Sequence, residues 1–177
     1  MQGKFPVLIP MRDGHYLSKD VLYGLAFQSL DLEIYPLTRE PLPGDSSHGY
    51  LCQAENRNLL FKIAETLPAA EYVFMMDADK EILSHNVFEK MVNRLMFNDT
   101  FGACFLTGYH DDNSAHIDIG CFCIRKSLIP EIKFFSANKH TCNCNSLIQQ
   151  IKNAGFNCNV ICDKNLIRHK EAWNDPI

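Results

Sequence analysis

The sequence predicts an α/β fold, a mostly parallel sheet with helices on both faces, and three observations carry that expectation. Short continuous apolar runs alternate with stretches whose apolar residues recur at helical spacing. Clusters of Gly, Pro, Asp and Asn mark the boundaries between them. The chain, at 177 residues, is long enough to bury a full core as one domain without staples. Strands that alternate with helices form parallel pairs, because each parallel pair needs a crossover and the crossover helix covers a face.

Phe5 to Ile9 is the first apolar run and Pro10 to Gly14 a turn, after which Ser18 caps a helix carrying Val21, Leu22, Leu25 and Leu30. Leu32 to Leu37 reads as the second strand, and the polar stretch Pro41 to Gly49 as a loop. From Cys52 to Leu67, residues Leu59, Leu60, Ile63, Ala64 and Leu67 form one helical stripe that Pro68 ends. Tyr72 to Met76 is a third, fully apolar strand. A turn follows, and Ser84 opens a helix with Val87, Phe88, Met91, Val92, Leu95 and Met96 along one face. Phe101 to Thr107 and Ile117 to Ile124 read as strands around the acidic loop His110 to Asn113. Asn145 to Ala154 is a helix stopped by Gly155, and Asn157 to Cys162 a last strand. The later strands are the candidates for an antiparallel edge. No repeat, low-complexity tract or linker divides the chain.

A formal net charge of -4 gives no broad basic field, so nucleic acid is not the expected partner, and an anionic ligand needs a local cation or metal. No apolar run approaches the ~18 residues of a membrane span, and Met1 to Lys4 does not begin a secretory signal. The expected setting is cytoplasmic, a reducing interior. Most of the eight cysteines read as small core hydrophobes, Cys121 and Cys123 along one strand and Cys158 and Cys162 along another. The spacing of Cys142, Cys144, Cys158 and Cys162 matches no usual zinc pattern.

The chemistry concentrates at Asp77-Ala78-Asp79, immediately after the apolar run Tyr72 to Met76. Residues two apart on an extended chain point the same way, so both carboxylates reach one ion where the strand leaves the sheet, the edge at which open α/β sheets bind ligands. So few oxygen ligands suit Mg²⁺ or Mn²⁺, with water and substrate phosphates completing the shell. The same two residues would also serve as a solvated turn capping the next helix. On the pair alone the turn is the default reading, and the context has to decide.

That context resembles the sugar-nucleotide-binding half of the family 2-like glycosyltransferases of GT-A fold. The resemblance is carried by the strand ending in Ile9-Pro10, by Glu55-Asn56-Arg57-Asn58 opening the second helix with Ile63-Ala64 after it, and by Glu71 to Asp79. It covers residues 5 to 95 well and the remainder loosely. It implies a single Rossmann-like GT-A domain, with residues 5–100 as the nucleotide-sugar half and 101–177 as the acceptor side and C-terminal metal-ligand segment. It further implies a metal-dependent enzyme that moves a sugar from a nucleotide-diphosphate donor to a hydroxyl of a saccharide, lipid or protein. Asp77 would contact ribose or metal, Asp79 the metal bridging the diphosphate, and His169 would complete metal or phosphate binding. Pro10, Met11 and Arg12 would lie under base and ribose, with Arg57 beside the phosphates. Arg12 and Arg57 also fit a turn residue and a solvated helix residue.

The sequence departs from the family in two places. Leu32 to Leu37 runs into Thr38-Arg39-Glu40 without the usual acidic signature, which leaves the nucleotide base open. Inverting members place an acidic pair where this chain has Asn143 and Cys144, so a general base would come from Asp112 or Asp118, with Asp111 beside them. Asp118 is the stronger candidate, because an acid inside an apolar strand needs a partner or a task. Two other readings stand beside the transferase: a non-catalytic nucleotide-sugar-binding module, and a nucleotidyltransferase of related fold, whose Gly-rich phosphate loop is represented near the first strand by Gly14 alone.

Overall fold

The computed structural model describes residues 4–12, 16–39, 50–68, 70–109, 115–135 and 143–169. Among the described residues eight strands and four helices follow in the order β1 Phe5–Arg12, α1 Lys19–Ala26, β2 Leu32–Arg39, α2 Tyr50–Thr66, β3 Tyr72–Met76, β4 Lys80–Ile82, α3 Val87–Met96, β5 Phe101–Tyr109, β6 Ala115–Arg125, α4 Asn143–Asn153, β7 Asn157–Ile161 and β8 Ile167–His169. A 3-10 turn spans Lys126–Glu131. Six strands make the main sheet in the order β2-β1-β3-β6-β5-β7, while β4 and β8 form a separate two-stranded ladder.

The fold is the mixed α/β sheet, mostly parallel and helix-flanked, that the sequence predicts. One detail is corrected: the antiparallel strand is interior. β6 runs against both β3 and β5, and the other five strands share one direction. Its apolar residues are divided between two covered faces, which suits a central position and not an edge.

Strict two-residue alternation sorts the core. Phe5, Val7, Ile9, Tyr72, Phe74, Met76, Cys121 and Cys123 pack under α1 and α3, through Val21 and Leu25 and through Val87, Phe88, Met91, Val92 and Leu95. Leu8, Val73, Met75, Ala103, Phe105, Phe122 and Ile124 face α2, α4 and the 3-10 turn. Fully burying side chains of this size contributes about 1.5–3 kcal/mol each before chain entropy is subtracted. Ser18 caps α1, its hydroxyl accepting from the Val21 amide at 3.3 Å. Ser84 does not open α3. Asn86 stands at that helix's N-cap, with Ser84 bonded to its side chain at 2.8 Å, because β4 occupies the chain just before it. On α2 the buried stripe is Ala54, Arg57, Leu60, Phe61 and Ala64, and Leu59 points outward. Gly155 ends α4 with φ +87°, a conformation that favours glycine.

Cys104, Cys121 and Cys123 are fully buried, and burial pushes the Cys104 thiol up to about 12 and the partly buried Cys158 thiol up to about 11. Cys144, which the sequence offered only within an ill-spaced zinc set, is disulfide-bonded, a bond the sequence reading did not include. Among the described residues no helix is long and apolar enough to cross a membrane.

Gly102, where the β5–β7 register shifts, lies against Leu128 and Phe156 so closely that an added Cβ would sit 2.8 Å from the Phe156 Cβ and nearer still to Leu128 Cδ1. Gly102→Ala is expected to destabilise by ~1–3 kcal/mol through overpacking. Urea unfolding measures it, and an unchanged midpoint would contradict this packing.

Candidate active site

The C-terminal ends of β1, β2, β3, β5 and β7 and the start of β6 share one edge of the sheet. All five residues of β3 are buried, and Asp77 is the first residue beyond it. Continuing the alternation, Asp77 has the parity of Val73 and Met75 and therefore turns toward α2. There the Arg57 guanidinium meets it, Nη2 donating to Asp77 Oδ1 at 2.6 Å. The side chain of Arg57 is 4% exposed and that of Asp77 25%. Backbone bonds fix the turn: the Asp77 amide donates to the Gly120 carbonyl at 2.7 Å, and the Lys80 amide returns to the Asp77 carbonyl at 3.2 Å.

Burial pushes the Asp77 carboxyl above the usual carboxylate range. Arg57 opposes that shift, Asp79 adds to it, and Lys80 opposes it more weakly. Lys80 is itself buried. Around the ion pair, Asn56 donates its amide to the Met11 carbonyl at 2.8 Å and the Leu37 carbonyl at 3.5 Å, tying α2 to the ends of β1 and β2. Asn58 holds Phe134 through two reciprocal 2.8 Å bonds to its backbone, and the Phe134 ring lies 5.6 Å from the Arg57 guanidinium. Neither Asn56 nor Phe134 is among the residues the sequence singled out for a role at the site. Asn56 carried a signal, however, as a polar residue adjoining a buried helical stripe.

Asp77, Asp79 and Arg57 thus come together, and Pro10 and Met11 lie at the end of β1 on the same edge. His169 arrives by a strand the sequence did not suggest. β8 pairs antiparallel with β4 and sets His169 opposite Lys80, one residue from Asp79. The cross-strand pair Arg168 and Glu81, bonded at 2.9 and 2.5 Å, lies in this register. Asp118 sits on β6 opposite Leu106, at the register shift that also presents Gly120 to Asp77. Arg12 is the last residue of β1. Asp111 and Asp112 lie outside the described residues, as do the side chains of Arg12, Asp118 and His169. Asn143 and Cys144 begin α4.

Among the described residues no group of three or more His, Cys, Asp and Glu side chains could by itself hold a metal ion. The carboxylates present offer one or two oxygen ligands, a donor set that suits Mg²⁺ or Mn²⁺ bound jointly with phosphates and does not suit an all-protein cage. Open grooves of ≈ 530 Å³ beside α3 and β7 and ≈ 420 Å³ beside Arg125 lie away from these aspartates.

No protein-family model and no curated protein sequence matches the chain. Solved structures do. S. aureus TarS in complex with UDP-GlcNAc aligns with a TM-score of 0.66 at 13% identity, covering 98% of this chain and 60% of that one. Drosophila β1,4-galactosyltransferase 7, as a mutant with manganese, UDP-Gal and xylobiose, aligns at 0.62 and 16%, covering 96% and 71%. Francisella tularensis 2-C-methyl-D-erythritol 4-phosphate cytidylyltransferase aligns at 0.57 and 12%, covering 94% of each chain. The likeness is one of fold, shared with GT-A glycosyltransferases and with nucleotidyltransferases.

Because the folded state raises the Asp77 pKa, folding gains from that proton as pH falls through the folded value toward the ordinary one, and the gain is absent above it. The stability of the wild type relative to Asp77→Asn should therefore be greater at about pH 4.5 than at about pH 7.5. Paired urea titrations test the sign, which an equal or reversed difference would contradict.

Proposed function

We propose that the chain is a metal-dependent glycosyltransferase that moves a sugar from a nucleotide-sugar donor to a hydroxyl acceptor. The observation that carries this reading is the Asp77 and Asp79 pair at the end of a fully buried strand, with Asp77 ion-paired to a buried arginine and β8 alongside. The GT-A-like fold and neighbours that bind UDP-sugars and manganese support it. Asp77 and Asp79 would hold Mn²⁺ or Mg²⁺, with His169 completing the site from β8. A divalent ion held there supplies charge neutralisation for the departing nucleoside diphosphate.

The chain's own residues do the rest. Pro10, Met11 and Arg12 form the floor for base and ribose at the end of β1, and Asn56 keeps that floor in register with β2. Arg12 and Arg57 answer phosphate charge. Asp118 removes the proton from the acceptor hydroxyl, or Asp112 does so from the adjoining loop. In this reading residues 5–100 bind the donor and residues 101–177 face the acceptor, all within one domain.

The nucleotidyltransferase reading keeps one specific observation in its favour, a cytidylyltransferase that aligns along 94% of both chains. Incubation with a panel of nucleotide sugars and of nucleoside triphosphates separates the two. Metal-dependent release of nucleoside diphosphate supports sugar transfer, pyrophosphate release supports nucleotidyl transfer, and donor binding without turnover identifies a binding module.

Asp79→Ala is expected to abolish Mn²⁺-dependent nucleotide binding and leave the circular dichroism unchanged, while Asp77→Ala weakens binding. Calorimetric titration with a nucleoside diphosphate and Mn²⁺ measures both, and an unaltered affinity in the Asp79 variant would sink the metal assignment.

Asp118→Asn should keep donor affinity and lose roughly 10²-fold or more in turnover. If Asp118→Asn and Asp112→Asn both turn over at the wild-type rate, neither is the base, and the anomeric configuration of the product, read by NMR, then tests for a retaining route.

A further inference from the structure

We propose that Arg57 is the resident counter-ion of Asp77, and that the site accepts a divalent cation only in company with a nucleoside diphosphate that draws the guanidinium off the carboxylate. This rests on the nucleotide-sugar reading and adds an order of events to it. Two carboxylates, Asp77 and Asp79, are gathered with two buried cations, Arg57 at 3% exposure and Lys80 at 8%. A bare divalent cation would bring further positive charge beside two buried cations, and such burial is costly. The diphosphate of a nucleotide sugar carries about two negative charges at neutral pH and that of a free nucleoside diphosphate about three, so cation and diphosphate together bring in no net positive charge.

The geometry fits an exchange. Asp77 keeps part of its side chain exposed at the end of β3, and Arg57 is the more buried of the two. The hold of Arg57 is light beside that of Arg125 at the opposite end of β3. Arg125 donates to the Phe101 and Leu95 carbonyls at 2.9 and 2.7 Å and to Glu71, Tyr72 and Asp99 at 3.2 to 3.3 Å. Arg57 donates to Asp77 alone among the described residues, and its buried Nε finds no partner there. The Phe134 ring, fixed by Asn58, attracts the guanidinium without dictating which acceptor it serves. A diphosphate offers that same guanidinium two parallel acceptors, the geometry arginine binds most tightly.

Calorimetry with Mn²⁺ alone, and with Mn²⁺ in the presence of UDP, GDP or CDP, tests the exchange in wild type and in Arg57→Met, whose apolar stem retains the contact with Phe134. The wild type should bind Mn²⁺ roughly tenfold or more weakly without nucleotide than with it, and Arg57→Met should bind Mn²⁺ alone roughly tenfold more tightly than wild type, with the coupling lost. Arg57→Lys, which keeps the charge, should remain weak for Mn²⁺ alone. Should Arg57→Met lose its native circular dichroism, Arg57→Gln gives the same readout. Equal wild-type affinity for Mn²⁺ with and without nucleotide overturns the exchange, as does an Arg57→Met protein whose Mn²⁺ affinity and coupling match the wild type. Binding of neither Mn²⁺ nor any Mn²⁺-nucleotide pair overturns the glycosyltransferase reading itself.

Discussion

The burial of β3 on both faces is the constraint from which the candidate site follows. An interior strand must have its backbone paired on both edges and its side chains covered above and below, so it can be apolar only as far as that cover extends. β1 and β6 supply the edges, α3 and α2 the cover, and all five residues from Tyr72 to Met76 are buried. Where the cover ends, Asp77 emerges with its backbone amide still held by the Gly120 carbonyl. The carboxylate is thereby presented from a rigid strand end at the sheet edge where the other parallel strands also finish, the place where an open α/β sheet has room for a ligand.

Each end of this strand is closed by an arginine, and the two do different work. Arg125 is engaged by two carbonyls, two carboxylates, the Tyr72 hydroxyl and the Tyr72 ring, which joins the end of β6 to β5 and α3. So many partners make a structural clamp. Arg57 is more deeply buried yet serves one carboxylate, and that carboxylate would itself serve a ligand. Breaking such a buried pair by removing one partner typically costs about 3–5 kcal/mol, whereas transferring the cation to another anion in place avoids leaving a charge stranded.

The small β4–β8 ladder brings the far end of the described chain back to the aspartates. Only three residue pairs form it, too few for an isolated hairpin to persist. Packing supplies the difference. Ile82 and Leu166 join the core beneath α1 and α3, and Gly24 lets α1 approach so closely that an added Cβ would lie 3.0 Å from the Ile82 Cβ. The register that places His169 opposite Lys80 is therefore a product of core burial, and the Glu81–Arg168 pair refines it.

Much of the fold was legible in the sequence, because periodicity and turn residues are local signals. The continuous apolar runs from Phe5 to Ile9 and from Tyr72 to Met76, the Ser18 cap, the stop at Gly155 and the position of the Asp77 and Asp79 pair were all written within short windows. The tertiary structure decided what depends on which distant surfaces meet. β6 lies between β3 and β5 because its two faces match two separate halves of the core, and strand order leaves no mark on any one strand's pattern. Three-residue strands such as β4 and β8 are too short to show alternation. The Arg57–Asp77 pair spans 20 residues and the Glu81–Arg168 pair 87, so neither has a sequence spacing to recognise. An arginine on a buried helical stripe declares that it needs an anion, and only the packing of α2 against the end of β3 says which.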